Sequence, residues 1–170
     1  LYYLFVGDKM EKLDEIRKTL NFYVCSNELK NKIIDEPNNY SVADHLFGSM
    51  ILATAIDSEF KEANNLSKIY RMLLLSEFSI SYPNYDFENL KLGKQYTKEI
   101  LESRDMNTEN GKLVFKYKML DLLLTKLIRE KESNITPSEL IKEGSTIISL
   151  LCGKQPYECG EIFKFYYLNF

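Results

Sequence analysis

Leu113-Val114-Phe115-Lys116-Tyr117-Lys118-Met119-Leu120-Asp121-Leu122-Leu123-Leu124, continued by Leu127 and Ile128, leaves almost no polar face when wound as a helix. A helix that is apolar on all sides belongs at the centre of a domain. The sequence therefore predicts a buried helix over about 112–132. Among the charges carried into it are Lys118 and Asp121. Three residues apart, they can pair with each other on one helix face. A lysine drawn into an apolar interior needs an opposite charge from somewhere, which makes Lys118 a residue to follow.

Outward from this segment the pattern stays helical. Thr136-Pro137-Ser138-Glu139 combines a threonine cap, a first-turn proline and a glutamate three residues after the cap, and starts a helix running to about Cys152. Beyond Gly153 and Pro156, Glu158 to Phe170 is dense in phenylalanine and tyrosine. Upstream, Asn107, Asn110 and Gly111 mark a turn, and a more polar helix spans about 87–103 with Leu92, Tyr96 and Ile100 in step. A helix over about 66–80 points Ile69, Met72, Leu73 and Phe78 inward. Ser41 with Asp44 caps a helix whose inner stripe is Val42, Leu46, Met50, Ala53 and Ile56. Residues 29–40, with Pro37-Asn38-Asn39, read as a loop. Asp8 and Glu11 have the form of another capping box, ahead of a helix over about 9–27 with Met10, Leu13, Ile16 and Leu20 at helical spacing and Tyr23 and Val24 behind them. The expected fold is all-α, one domain over 1–170, a bundle of about six helices.

Composition agrees. Only 7 Gly and 4 Pro interrupt 170 residues, so elements are long and turns few. Net charge is -3, with 22 basic and 25 acidic residues mixed along the chain, which gives no support to nucleic-acid binding. Lys112, Lys116, Lys126, Arg129 and Lys131 look basic, but Glu130 and Glu132 dilute them to a solvated helix rim. Cys25, Cys152 and Cys159 are odd in number and lack metal-hook spacing, as suits free thiols in a reducing cytoplasm. No segment is long enough to span a membrane, and Leu1 to Val6 is too short for a signal peptide.

One phrase carries more specific information. Tyr40-Ser41-Val42-Ala43-Asp44-His45 holds the chain's single histidine. It resembles the ESVAEH or ESVADH motif of small HD-domain phosphohydrolases, the group that includes 5'-deoxynucleotidases, in which the motif's histidine is a metal ligand. The family's next landmark, roughly KxxxMALLHDLGE, is matched in apolar frame by residues 69–80, but Ser76 and Glu77 stand where its metal-binding His and Asp belong, and Ile80 replaces a downstream acid. In the third landmark, residues 113–124, Lys118 replaces the last metal-binding Asp and Asp121 falls on the following acid. The substrate-holding arginine-glycine-tryptophan segment is replaced by residues near Asn27-Glu28-Leu29.

The resemblance thus implies an HD-like helical domain whose vestigial pocket comprises His45, Ser76, Glu77, Lys118 and Asp121. The family's metal needs two His and two Asp to activate water and polarise a phosphate. One histidine and a displaced acid do not supply that set, so no cofactor, metal or catalytic residue is expected. The expected function is an inactive domain acting through a protein partner or as an accessory subunit. A phosphohydrolase with a site rebuilt from His45, Glu77 and Asp121, and a nucleotide sensor without catalysis, remain alternatives. The aromatic-rich ends, Leu1 to Val6 and Phe163 to Phe170, are either contact surface or pack against each other in one core, and a homo-oligomer also stays open. A second expectation is specific: the Lys118 ammonium pairs with Glu77, close to His45.

Overall fold

The start of the central helix is set by Thr108, whose hydroxyl accepts the Gly111 amide at 3.0 Å. That one bond satisfies a backbone donor that a helix end leaves free. The structure is a computed structural model that describes residues 2–169, and side chains from residue 7 to 169. In chain order it contains α1 (Tyr2–Asn27), a short ribbon of β1 (Ile33–Asp35) and β2 (Tyr40–Ser41), then α2 (Val42–Phe60), α3 (Leu66–Ser81), α4 (Gly93–Ser103), α5 (Glu109–Lys131), α6 (Pro137–Cys152) and α7 (Gly160–Asn169). The fold is all-α, with seven helices among the described residues where about six were expected, because the C-terminal aromatic segment is itself a helix.

The most apolar stretch lies at the centre. α5 packs against α2, α3, α4 and α6, and α7 lies on α2 and α6. Leu52 and Ile56 of α2, Ile69, Met72 and Leu73 of α3, Tyr117, Leu120 and Leu124 of α5, Ile148 of α6 and Phe163 of α7 are excluded from solvent. A second cluster joins Leu29, Val42, Leu75, Phe78, Phe87 and Ile100, and Phe22 of α1 packs against it with its ring 4.8 Å from that of Phe78. α5 is less uniformly buried than its composition suggests: Phe115, Leu122 and Leu123 are exposed.

Two capping boxes form as the sequence predicts, Ser41 with Asp44 at α2 and Thr136 with Glu139 at α6. The one at Asp8 does not. α1 runs back to Tyr2, so Asp8 sits inside a helix and pairs with Lys12 instead. The stripe on α1 faces solvent. Met10, Leu13, Ile16, Leu20, Tyr23 and Val24 are exposed, because the domain touches α1 through its other face, at Phe22 and Cys25. The proposed contact role of Leu1 to Val6 concerns side chains outside the described residues.

Two further boundaries differ. The helix expected over 87–103 begins at Gly93. Asp86 captures the Glu88 amide at 2.9 Å, which turns the chain there, and a side chain at Gly93 would meet the Phe87 carbonyl oxygen at 1.8 Å. Asn110 and Gly111, expected in a turn, lie in the first turn of α5. The loop over 29–40 includes the antiparallel ribbon, with Ile33 opposite Ser41. This ribbon holds Tyr40 and Ser41 against the start of α2, and so positions the site described next.

Candidate functional site

Asp121 projects from the middle of α5 into a fully buried position. Its carboxylate is used on both oxygens. Oδ2 accepts from His45 Nδ1 at 2.6 Å and from the Tyr40 hydroxyl, while Oδ1 accepts from the Tyr166 hydroxyl at 2.7 Å. Thr125, one helical turn on, lies 3.0 Å from the Tyr166 hydroxyl and 3.5 Å from that of Tyr40. Burial, reinforced by the adjacent Asp121 charge, pushes both phenols well above their usual pKa, so they stay protonated and keep donating. Four elements meet at this one carboxylate: β2 through Tyr40, α2 through His45, α5 itself, and α7 through Tyr166.

The approach of α2 to α5 depends on Gly48. It lies one turn after His45, and a Cβ there would meet Asp121 Oδ1 at 1.8 Å. Only a residue without a side chain admits the carboxylate to this depth. Two turns further along α5, Arg129 donates to the Asn38 carbonyl at 3.0 Å and stacks over the Tyr40 ring with its guanidinium carbon 4.9 Å from the centroid. A cleft of about 360 Å³ lined by Asn39, Tyr40, Asp44, Phe47 and Arg129 borders the cluster through Tyr40.

The other side of His45 faces α3. Nε2 lies 3.9 Å from Glu77 Oε1, and the Lys118 ammonium lies 2.5 Å from that same oxygen. Lys118 also donates to Ser76 Oγ at 3.1 Å. Glu77 is buried and Lys118 half-buried, with 22% of its side chain exposed. The lysine stem crosses from α5 to α3, while its tip stays near the surface. Lys118 therefore reaches Glu77 and Ser76, and Asp121 goes to His45; the pairing of Lys118 with Asp121 along one helix is not the contact observed.

The structure thus brings His45, Ser76, Glu77, Lys118 and Asp121 into one cluster and keeps Ile80 out of it, 60% exposed. It adds Tyr40, Thr125 and Tyr166, which the sequence reading assigns no role. The remaining basic residues of α5 form a rim of ion pairs: Lys112 with Glu109, Lys116 with Glu62, Lys126 with Glu130 and Lys131 with Glu143.

These residues do not fit the divalent metal held by the family that the sequence resembles. A metal-binding carboxylate offers its lone pairs to the ion, whereas those of Asp121 accept protons from three side chains. Glu77 is matched by an ammonium, which repels a second cation. Among the described residues no group of three or more His, Cys, Asp or Glu is arranged to hold a metal ion. All three cysteines are free, and burial pushes the Cys152 thiol up to about 11 and raises that of Cys159. Among the described residues no helix is long and apolar enough to cross a membrane. In comparisons with known proteins, no family model matches this chain, nor does any curated protein or solved structure.

Proposed function

We propose that this chain is a degenerate HD-like domain in which a lysine has taken the place of the metal, and that it works as a non-catalytic interaction or accessory domain. The observation that carries the reading is the 2.5 Å contact between Lys118 and Glu77, beside the His45–Asp121 pair. In the family the resemblance points to, acids from two helices converge because both touch one ion. Here the two matching helices are α3 and α5, and an ammonium from one meets the carboxylate of the other. The positive charge that an ion would bring is built into the chain, and the histidine beside it is committed to Asp121. Such a centre has no open coordination position for water, which metal-assisted hydrolysis requires.

The test is metal analysis of the mildly purified protein together with a deoxynucleoside monophosphate hydrolysis assay. The expected result is no stoichiometric manganese, cobalt, iron or zinc and no turnover above background. A stoichiometric metal, with turnover abolished by His45→Ala, overturns the proposal and restores a hydrolase rebuilt on His45, Glu77 and Asp121. A nucleotide that raises the melting temperature without being hydrolysed would assign the domain to sensing instead.

A further inference from the structure

The exposed stripe on α1 points to a second copy of this chain. From Gly7 to Asn21 every residue of α1 except Lys18 is exposed, and among the described side chains the helix meets the domain near its end, at Asn21, Phe22 and Cys25. An isolated helix of this length is marginal in water, so a solvated one needs a partner along its apolar face. At about 100° per residue, Met10, Leu13, Ile16, Leu20, Tyr23 and Val24 fall within roughly 140° of arc, and Phe22 lies almost opposite. The domain holds one side of the helix and leaves the stripe facing away from it.

We propose that two copies of the chain associate through this stripe as an antiparallel two-helix seam. The spacing is that of a heptad, with Met10 and Val24 at a positions, Leu13 and Leu20 at d, and Ile16 and Tyr23 alongside at g. All six side chains are between 54% and 69% exposed. Full burial of such side chains removes on the order of 100 Å² each. Allowing for part of that being covered already, the stripe and the stems beside it supply several hundred Å² per copy, near the lower bound of about 1,200 Å² in total for a specific interface. An apolar patch of this size is uncommon on a monomer.

Arg17 sets the orientation. It occupies the a position between Met10 and Val24. A parallel seam places the two Arg17 guanidiniums face to face. An antiparallel seam places each beside Leu20 of the second copy, where its stem covers apolar surface and its charge reaches the rim. The antiparallel form also sends the two domains to opposite ends of the seam. The flanking charge argues for protein rather than lipid. Between Asp8 and Lys18 four acids and four bases alternate, whereas helices that lie on membranes carry a basic polar face. This inference is independent of the state of the polar centre.

The experiment is sedimentation equilibrium of the 170-residue chain from low micromolar to a few hundred micromolar. The expected result is a monomer–dimer equilibrium, weakened at least about tenfold by the double change Leu13→Asp, Leu20→Asp. Both side chains are exposed in the single chain, so its denaturation midpoint at low concentration should be unchanged. In a Cys25→Ser background, oxidising a mixture of Leu13→Cys and Val24→Cys chains should give the mixed disulfide far above the level in either chain alone. A chain that stays monomeric throughout overturns the proposal, as does a dimer indifferent to the double change. So does a monomer that instead binds phosphatidylserine vesicles through the stripe. A Leu13→Cys homodimer forming as readily as the mixed one overturns the antiparallel order.

Discussion

His45 Nδ1 and Asp121 Oδ2 lie 2.6 Å apart across 76 residues of chain, and this contact ties the first turn of α2 to the middle of α5. It is buried on both sides, with 4% of the His45 side chain and none of that of Asp121 exposed. The same carboxylate anchors Tyr40 from the ribbon and Tyr166 from α7. One acid in the core thus acts as the joint of four elements, and its removal should be felt as a loss of stability rather than of any single contact.

Asp121→Leu keeps a side chain of similar size at that position but takes away the carboxylate that three buried donors share. The expected cost is on the order of 3–5 kcal/mol, as for breaking a buried charge network from one side. Tyr166→Phe removes one donor of three and should cost about 1–3 kcal/mol. Urea denaturation of the two variants checks the ranking. If Asp121→Leu is as stable as the parent, the carboxylate is not a joint.

The pairing of α3 with α4 should make the protein acid-labile. Arg71 donates from Nε and from its terminal nitrogen to the two oxygens of Glu99, both at 2.7 Å, and holds that buried carboxyl below its usual value of 4.5. Glu102 is held down by Lys68 at 2.8 Å, with help from Asn110. A carboxyl whose folded pKa is depressed binds its proton more readily in the unfolded chain. Its stabilisation is therefore complete above the unfolded value and fades as pH falls through the folded one. Denaturation midpoints measured below about pH 4.5 should fall steeply in the parent and less steeply in Glu99→Gln, which starts lower at neutral pH. Parallel curves for the two proteins would remove Glu99 from the acid limb.

Gly48→Ala tests the depth of the joint. Its new methyl group meets Asp121 Oδ1, and the carboxylate has no easy retreat because both oxygens are bound. Overpacking of this kind costs about 1–3 kcal/mol, and displacing a satisfied carboxylate adds to it. Thermal unfolding should show a clear drop in Tm. The exposed Gly7, with open space around its Cβ position, is the matched control, where alanine should be neutral or better.

What was legible in the sequence follows from how local each signal is. Ser41–Asp44 and Thr136–Glu139 announce helix starts because the cap and its partner lie three residues apart. Asp8–Glu11 shows the same spacing, but a capping box is a start only where the preceding chain leaves the helix, and α1 continues upstream to Tyr2. Lys118 and Asp121 stand out because charge in an apolar helix demands a partner. Which partner each takes is decided between helices, and no spacing rule within α5 gives it. Tyr166 carries no signal at all: it is one aromatic among several in α7, and its role exists only once that helix lies on α2. The stripe of α1 is visible in sequence, but its exposure is not, since periodicity shows that a face is apolar without showing what covers it.

The pair of Lys118 and Glu77 gives the most discriminating prediction. Glu77 has 8% of its side chain exposed and its Oε1 lies 2.5 Å from the ammonium. Lys118→Met removes the cation, keeps the apolar stem and strands a buried carboxylate 3.9 Å from His45 Nε2. Stranding a buried charge costs roughly 3–5 kcal/mol; the 22% exposure of Lys118 lets water reach the site and puts the expected cost at the lower end. Adding Glu77→Gln takes away the stranded charge and should return much of the loss, although the amide must still find its hydrogen bonds. The double variant should therefore be more stable than Lys118→Met alone, with a coupling of about 1–3 kcal/mol in the full cycle with Glu77→Gln. Chemical denaturation of all four proteins at neutral pH measures it. Additive effects, with the double variant the least stable of the set, would mean that Lys118 and Glu77 are neighbours without being partners, and the lysine would lose its claim to the place of the ion.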